Sequence, residues 1–237
     1  MLVGLVALVS TSSAFAQAAS APNGYDKSWF ISEFWSGEYP KGFSVTRPDT
    51  VVQARRSMDK AAPREIACKL PYLAVIHPWN QRRSTESKIT FLSASKIVRL
   101  IVNAPFVFAD VGGDARAKVR LKKGDVVEYL RNDAEGFFEV RIASKQYTAG
   151  QDLFDHVVDV PDDQFVEDDW AALTCVGGAR AYIFLDELGL ASDDPKAQVS
   201  GISGVGPGQT GYGHARDLTA AEARELEAER GKNNTPR

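Results

Sequence analysis

Val119-Arg120-Leu121-Lys122-Lys123-Gly124-Asp125-Val126-Val127-Glu128-Tyr129-Leu130, followed by Glu135-Gly136-Phe137-Phe138-Glu139-Val140-Arg141-Ile142, decides the fold class of this chain. Val119 and Leu121 flank Arg120, the alternation of a half-buried strand. Gly124 then suits a tight-turn corner that needs positive φ. Val126 to Leu130 is a second apolar strand, and Asn132 to Gly136 carries turn chemistry. Phe137 to Ala143 alternates apolar with polar again, and Lys145 to Thr148 continues the pattern. Short strands bounded by turn residues make this part of the chain mainly β.

Working outward, the stretch before this one follows a plan used twice. Val102-Asn103-Ala104-Pro105 leads into Phe106 to Ala109, a glycine-bearing loop from Asp110, then Ala117 to Leu121, a tight turn and Val126 to Leu130. Val45-Thr46-Arg47-Pro48 likewise leads into Thr50 to Arg55. A longer loop from Arg56 to Arg64 follows, then Ile66 to Leu73 and the strand Ala74 to His77. Farther on, Trp170 to Val176, a Gly177-Gly178 turn and Arg180 to Leu185 read as a terminal hairpin.

The phrases 119–130 and 135–142 resemble a bacterial SH3-like domain, in which a lysine-glycine turn, a valine strand and a glycine-tryptophan turn follow one another. Here the last of these is Gly136-Phe137. Trp170 to Leu188 resembles the closing part of that pattern, and Val45 to Trp79 its opening part. The resemblance implies a mainly β chain of two small SH3-like barrels or one composite of them, with no catalytic domain attached. It also implies a non-catalytic module of the cell envelope. The first unit is expected at 44–100 and the second, with the closing hairpin, at 101–191.

The two ends read differently. Leu2 to Val9 is apolar but too short to span a bilayer. Small residues at Ala14 and Ala16 make 1–16 an expected signal peptide, although the first basic residue is only Lys27. Segment 17–43 is rich in aromatics. The spacing of Trp29, Phe30 and Phe34 predicts a short helix capped by Asp26, its aromatic face covering the core; a carbohydrate platform is the competing reading. Residues 192–237 form an expected flexible tail, Gly- and Ser-rich from Val199 to Gly213. Thr219-Ala220-Ala221-Glu222 is a capping box that opens a short charged helix.

Export gives the two cysteines a meaning. In an oxidising compartment Cys68 and Cys175 should pair, closing a long loop. Charge is also divided. Residues 41–100 carry twelve Lys and Arg against four acids, whereas 150–195 carry twelve acids against Arg180 alone. The favoured reading is that the blocks face one another inside the monomer. Otherwise Arg47, Arg55, Arg56, Arg64, Trp79, Arg82 and Arg83 form an open ligand surface for an anionic envelope polymer or a periplasmic protein. The acidic pI of 5.7 and the expected export argue against nucleic acid.

Catalytic signals are sparse. The histidines His77, His156 and His214 have no metal-ligand spacing, and no serine elbow or phosphate loop is present. No cofactor or metal is expected. The acids from Asp159 to Asp169 include Pro161 but no glycine, so a solvated loop is preferred to a calcium site. The expectation is therefore a periplasmic or secreted, non-catalytic binding or assembly module without a transmembrane span in the mature chain. A small hydrolase using His77 or His156, and an inhibitor or immunity-type protein, are the alternatives.

Overall fold

The computed structural model describes residues 24–33, 40–80, 83, 88–112, 118–134, 136–190, 198–205, 210–211 and 214–233. The chain opens with strands β1 (Trp29–Ser32), β2 (Phe43–Val45), β3 (Val51–Ala54), β4 (Ile66–Lys69), β5 (Val75–Ile76) and β6 (Thr90–Lys96). It continues through β7 (Val98–Ile101), β8 (Phe106–Ala109), β9 (Lys118–Leu121), β10 (Val126–Ala134), β11 (Phe137–Ile142) and β12 (Lys145–Gly150). Two 3-10 helices follow, η1 (Gln151–His156) and η2 (Asp162–Gln164). Then come β13 (Glu167–Thr174), β14 (Arg180–Phe184), the 3-10 helix η3 (Leu185–Leu188) and β15 (Ile202–Gly204). Last are β16 (Thr210–Gly211), β17 (His214–Ala215) and the helix α1 (Ala220–Asn233). The molecule is mainly β, as its alternating patterns predict.

One unit is inserted into another. Sheet order β1-β6-β13-β14 joins strands on either side of residues 97–166, while β12-β11-β10-β7 lies wholly within that stretch. The two ends of the insertion meet: Lys96 N–H donates to the Val166 carbonyl at 2.8 Å, and Ser95 pairs with Glu167. The cores divide the same way. Phe43, Val52, Cys68, Leu70, Leu173 and Ile183 belong to one, and all of its members lie outside the insertion. Leu100, Phe108, Leu121, Val127, Val140 and Leu153 belong to the other, all of it within 98–165.

The plan read twice in the sequence is built twice. In each unit an inner hairpin, β3–β4 or β8–β9, is framed by two strands that pair antiparallel, β2 with β5 and β7 with β10. The corner that closes the frame is the same. Val45 N–H donates to Ala74 at 2.9 Å while its carbonyl accepts from Leu73 at 3.0 Å; Val102 does the same with Asp125 at 2.9 Å and Gly124 at 2.8 Å. Gly124 has φ 91°, and its counterpart Leu73 is held at φ 66°, where a branched side chain is sterically strained. A second shared contact ties each hairpin to the body: Arg55 N–H donates to the Tyr182 carbonyl at 3.0 Å, and Val111 N–H to Thr148 at 3.2 Å. In both cases the acceptor stands three residues before a 3-10 helix.

Several expectations need correction. The boundary at 100/101 cuts through β7, and the closing hairpin β13–β14 pairs with β6 of the first unit rather than with the second. Trp29 to Ser32 is a strand, not a helix, because all four residues pair with β6. Asp26 serves a turn there, its carboxylate accepting from Ser28 N–H at 2.8 Å. Phe34, Trp35 and the expected signal peptide lie outside the described residues. The tail is docked where it is described: β15 pairs with β2, and Leu218 and Ala223 are buried against Val75. Its capping box forms as read, with Thr219 N–H donating to Glu222 at 2.7 Å and Glu222 N–H to Thr219 Oγ1 at 3.3 Å. The central strand β6 escaped the reading because its serines interrupt the apolar pattern, yet Ser93 and Ser95 are buried.

Candidate binding surface

Cys68 and Cys175 are joined, their Cα atoms 5.1 Å apart, so β4 is tied to the end of β13. Beside this link Val176 N–H donates to the Lys69 carbonyl at 2.8 Å. The hairpin β3–β4 is thus anchored at both ends, by the disulfide and by Arg55 on Tyr182.

The two charge blocks do meet, through Asp168 and Asp169 of the acidic run but also through Glu187, which the sequence did not single out. Arg55 is only 4% exposed. It grips Glu187 with both terminal nitrogens at 2.6 and 2.7 Å, and donates to the carbonyls of Ala62 and Lys60 at 3.0 and 3.1 Å. Its guanidinium also lies 5.7 Å from the centre of the Trp170 ring. Arg55 is therefore a core residue and not part of an open surface, because every group that could meet a ligand is already engaged. Lys60 pairs with buried Asp168 at 2.8 Å, and Lys41 with Asp169 and Asp186 at 3.0 Å each. Hydrogen bonds from Arg55 hold the Glu187 carboxyl below the usual carboxylate range.

The remaining candidates separate. Arg83 holds Asp217 of the tail in a two-pronged pair, its closest contact 2.6 Å. Burial alone would raise the Asp217 carboxyl, but Arg83, Val75 N–H and Asn80 together hold it low. Arg47 pairs with Glu227 of α1, and Arg56 with Glu65 of its own loop. Trp79 packs edge-on against His77 with ring centres 5.3 Å apart. Arg82 lies outside the described residues. Arg64 is different: 53% of its side chain is exposed, and its contact to Glu187 is a long 3.6 Å, to a carboxylate that Arg55 already holds at shorter range. Glu187, Asp217 and Glu227 are the partners that residue-type reasoning missed; no short motif marks them, since each meets its arginine across more than 130 residues.

Arg64 stands on a cleft. Val51, Gln53, Ile183, Glu187, Leu188 and Val199 are among the residues of its walls, which enclose about 170 Å³. A wider recess of about 490 Å³ adjoins it at Val51, formed by Arg47, Pro48, Asp49, Thr50 and Ser200. The cleft lies where β3 and β14 pack side by side without a ladder between them: the one bridge there among the described residues is Arg55 with Tyr182, just past the end of β3, and β14 then turns into η3.

His77 and His156 make packing contacts. His77 Nε2–H donates to the Pro40 carbonyl at 3.0 Å, and its Nδ1 accepts from Trp79 N–H at 3.2 Å. Burial pushes its pKa down, partly opposed by that carbonyl. His156 stacks on Phe106 with ring centres 4.3 Å apart. His214 is exposed in the tail. Among the described residues no group of three or more His, Cys, Asp or Glu is placed to hold a metal ion. No family model, curated protein or solved structure matches the chain.

Proposed function

We propose that this chain is a non-catalytic binding or assembly module of the bacterial cell envelope, periplasmic or secreted, and that the cleft along β3 is its working surface. The observation that carries the reading is the make-up of that cleft. It combines an aliphatic wall with a half-exposed arginine on a frame fastened by a disulfide, which is how a rigid recognition site is composed. No histidine lines it, and both ring nitrogens of His77 have structural partners. The resemblance to bacterial SH3-like domains supports the same reading, and the repeated frame-and-hairpin plan is in keeping with it. No helix among the described residues is long and apolar enough to cross a membrane. The disulfide fits an oxidising compartment.

The test is retention of the purified, disulfide-intact protein on cell-wall sacculi and on immobilised periplasmic extract. Retention is expected from one of the two, and Val51→Asp together with Arg64→Glu should abolish it without unfolding the protein, since both side chains are substantially exposed. A reproducible hydrolytic turnover lost on His77→Ala or His156→Ala would replace this reading with the small-hydrolase one.

A further inference from the structure

β3 is a strand with one open edge. Leu70 N–H donates to the Thr50 carbonyl at 3.0 Å, and in the register that follows Val52 faces Cys68 and Ala54 faces Ile66. Hydrogen-bonded and non-hydrogen-bonded pairs alternate along an antiparallel ladder. Thr50, Val52 and Ala54 therefore turn their backbone groups to β4, while Val51, Gln53 and Arg55 turn theirs to the opposite side. Arg55 bears this out, exchanging bonds of 3.0 and 2.9 Å with Tyr182 on that side. Beyond it, among the described residues, no strand pairs with β3 there, so the N–H and C=O groups of Val51 and Gln53 face the cleft. Val51 and Gln53 are exposed, and an exposed strand edge is a ready template for pairing with another chain. The register of the two hairpins aligns Phe106 with Thr50, each opposite a leucine, Leu121 or Leu70. At that corner of the inserted unit Phe106 stacks on His156, whereas Thr50 is small and leaves the recess open.

We propose that an extended peptide segment of a partner protein adds as a strand along β3, pairing its backbone with Val51 and Gln53. It sets an aliphatic side chain against Ile183, Leu188 and Val199, and places a carboxylate on Arg64. Two features select this occupant. Two donors and two acceptors at alternate residues match the backbone of an extended chain. The charge asks for an acid, because Glu187 is already held by Arg55 at 2.6 Å and leaves Arg64 with a contact of only 3.6 Å. The inference rests on the binding-module reading and names the partner of the same cleft.

The experiment uses the intact, disulfide-bonded protein and a blocked peptide of alternating Thr and Val ending in Asp, with two controls. One control carries Asn for Asp; the other is N-methylated at the backbone nitrogens that would face β3. Amide hydrogen exchange is followed with and without peptide. Saturation should slow exchange at Val51 and Gln53 about tenfold and leave Val52, already paired with β4, unchanged. The Asn peptide, or Arg64→Gln in the protein, should weaken binding about fivefold, and N-methylation should remove it. Unchanged exchange at Val51 and Gln53, or equal binding by the N-methylated peptide, would overturn the proposal. So would protection at Val51 that grows with protein concentration alone, since the occupant would then be a second copy of this chain. Retention on sacculi with no peptide binding would sink the peptide and leave the binding-module reading standing; turnover lost with His77 would sink the latter first.

Discussion

Arg55 and Glu187 show what a single charged residue does in this chain. The arginine is buried, carries four hydrogen bonds and lies against Trp170, so neutralising Glu187 leaves a buried guanidinium with two backbone carbonyls but no countercharge. Glu187→Gln should cost about 2 kcal/mol of unfolding free energy, discounted from a fully buried pair because the carboxylate is about a third exposed. A denaturant titration reads it; a change below about 0.5 kcal/mol would show that the pair is worth no more than a surface one. The pH dependence follows from the same residues. Glu187 and Asp217 have folded-state pKa values below their unfolded ones, so the unfolded chain binds more protons, and the stability they add is lost as pH falls through the carboxylate range. His77 is also depressed, below 6.5, so it too favours the unfolded chain once pH drops beneath that value. Unfolding midpoints should therefore fall in two steps on acidification, the first beginning below about pH 6.5 and the second below about pH 4.5. His77→Gln should remove the first step and leave the second. A first step that persists in this variant would assign it to another group.

At the scale of elements, the terminal helix is held by polar clasps more than by apolar area. Arg83 grips Asp217, Thr46 and Arg47 reach Glu227, and Arg230 donates to the carbonyls of Gln198, Val199 and Ile202 at 2.9 to 3.1 Å. Leu218 N–H also donates to the carbonyl of Leu73, the residue held at positive φ. Asp217→Asn weakens the pair with Arg83 while keeping the side-chain shape. It should raise the protease sensitivity of residues 214–233 several-fold and leave the melting of the β body within about 2 °C; equal protection of the tail in both proteins would show that apolar contacts alone hold it. The hairpin β3–β4 depends on the disulfide in the same local way. Cys68→Ala with Cys175→Ala opens a loop closed over 107 residues and should cost about 2–5 kcal/mol. The loss should appear first as faster amide exchange in β3 and β4. Loss confined to the inserted unit would contradict the placement of the link.

For the molecule as a whole, nesting makes a prediction that a tandem arrangement does not. The core of the inserted unit is complete within 98–165, and the two ends of the insertion are joined by a hydrogen bond of 2.8 Å between Lys96 and Val166. A chain in which 98–165 is replaced by a short Asn-Gly turn should therefore fold, retain the Cys68–Cys175 bond and show dispersed signals for Trp170. Its stability should fall by what is lost between the units, chiefly where β6 and β1 touch β10. A molten product, with collapsed dispersion and free thiols, would show that the outer unit needs the inner one to fold.

The sequence by itself determined the class of the fold, because strand alternation and turn chemistry are local. Val119 to Ile142, the Gly124 corner and the Gly177-Gly178 hairpin are each decided within a few residues, and the capping box at Thr219 is local as well. It also led to the expectation that Cys68 and Cys175 pair, because two cysteines have only one pairing if the compartment is oxidising, and the structure joins them. Tertiary structure alone decided the rest. Trp29, Phe30 and Phe34 are spaced as on a helix, but Trp29 to Ser32 is drawn into a strand by an open edge of β6, and β6 itself hides behind two serines that only its neighbours bury. Opposite charge blocks foretold that basic and acidic residues meet, but not that Arg55 takes Glu187 or that the tail supplies Asp217 and Glu227. The insertion of 97–166 and the cleft along β3 arise where strands distant in sequence meet and then part. Nothing in a local pattern encodes that divergence: it depends on which edges are left to pair after the rest of the chain has packed.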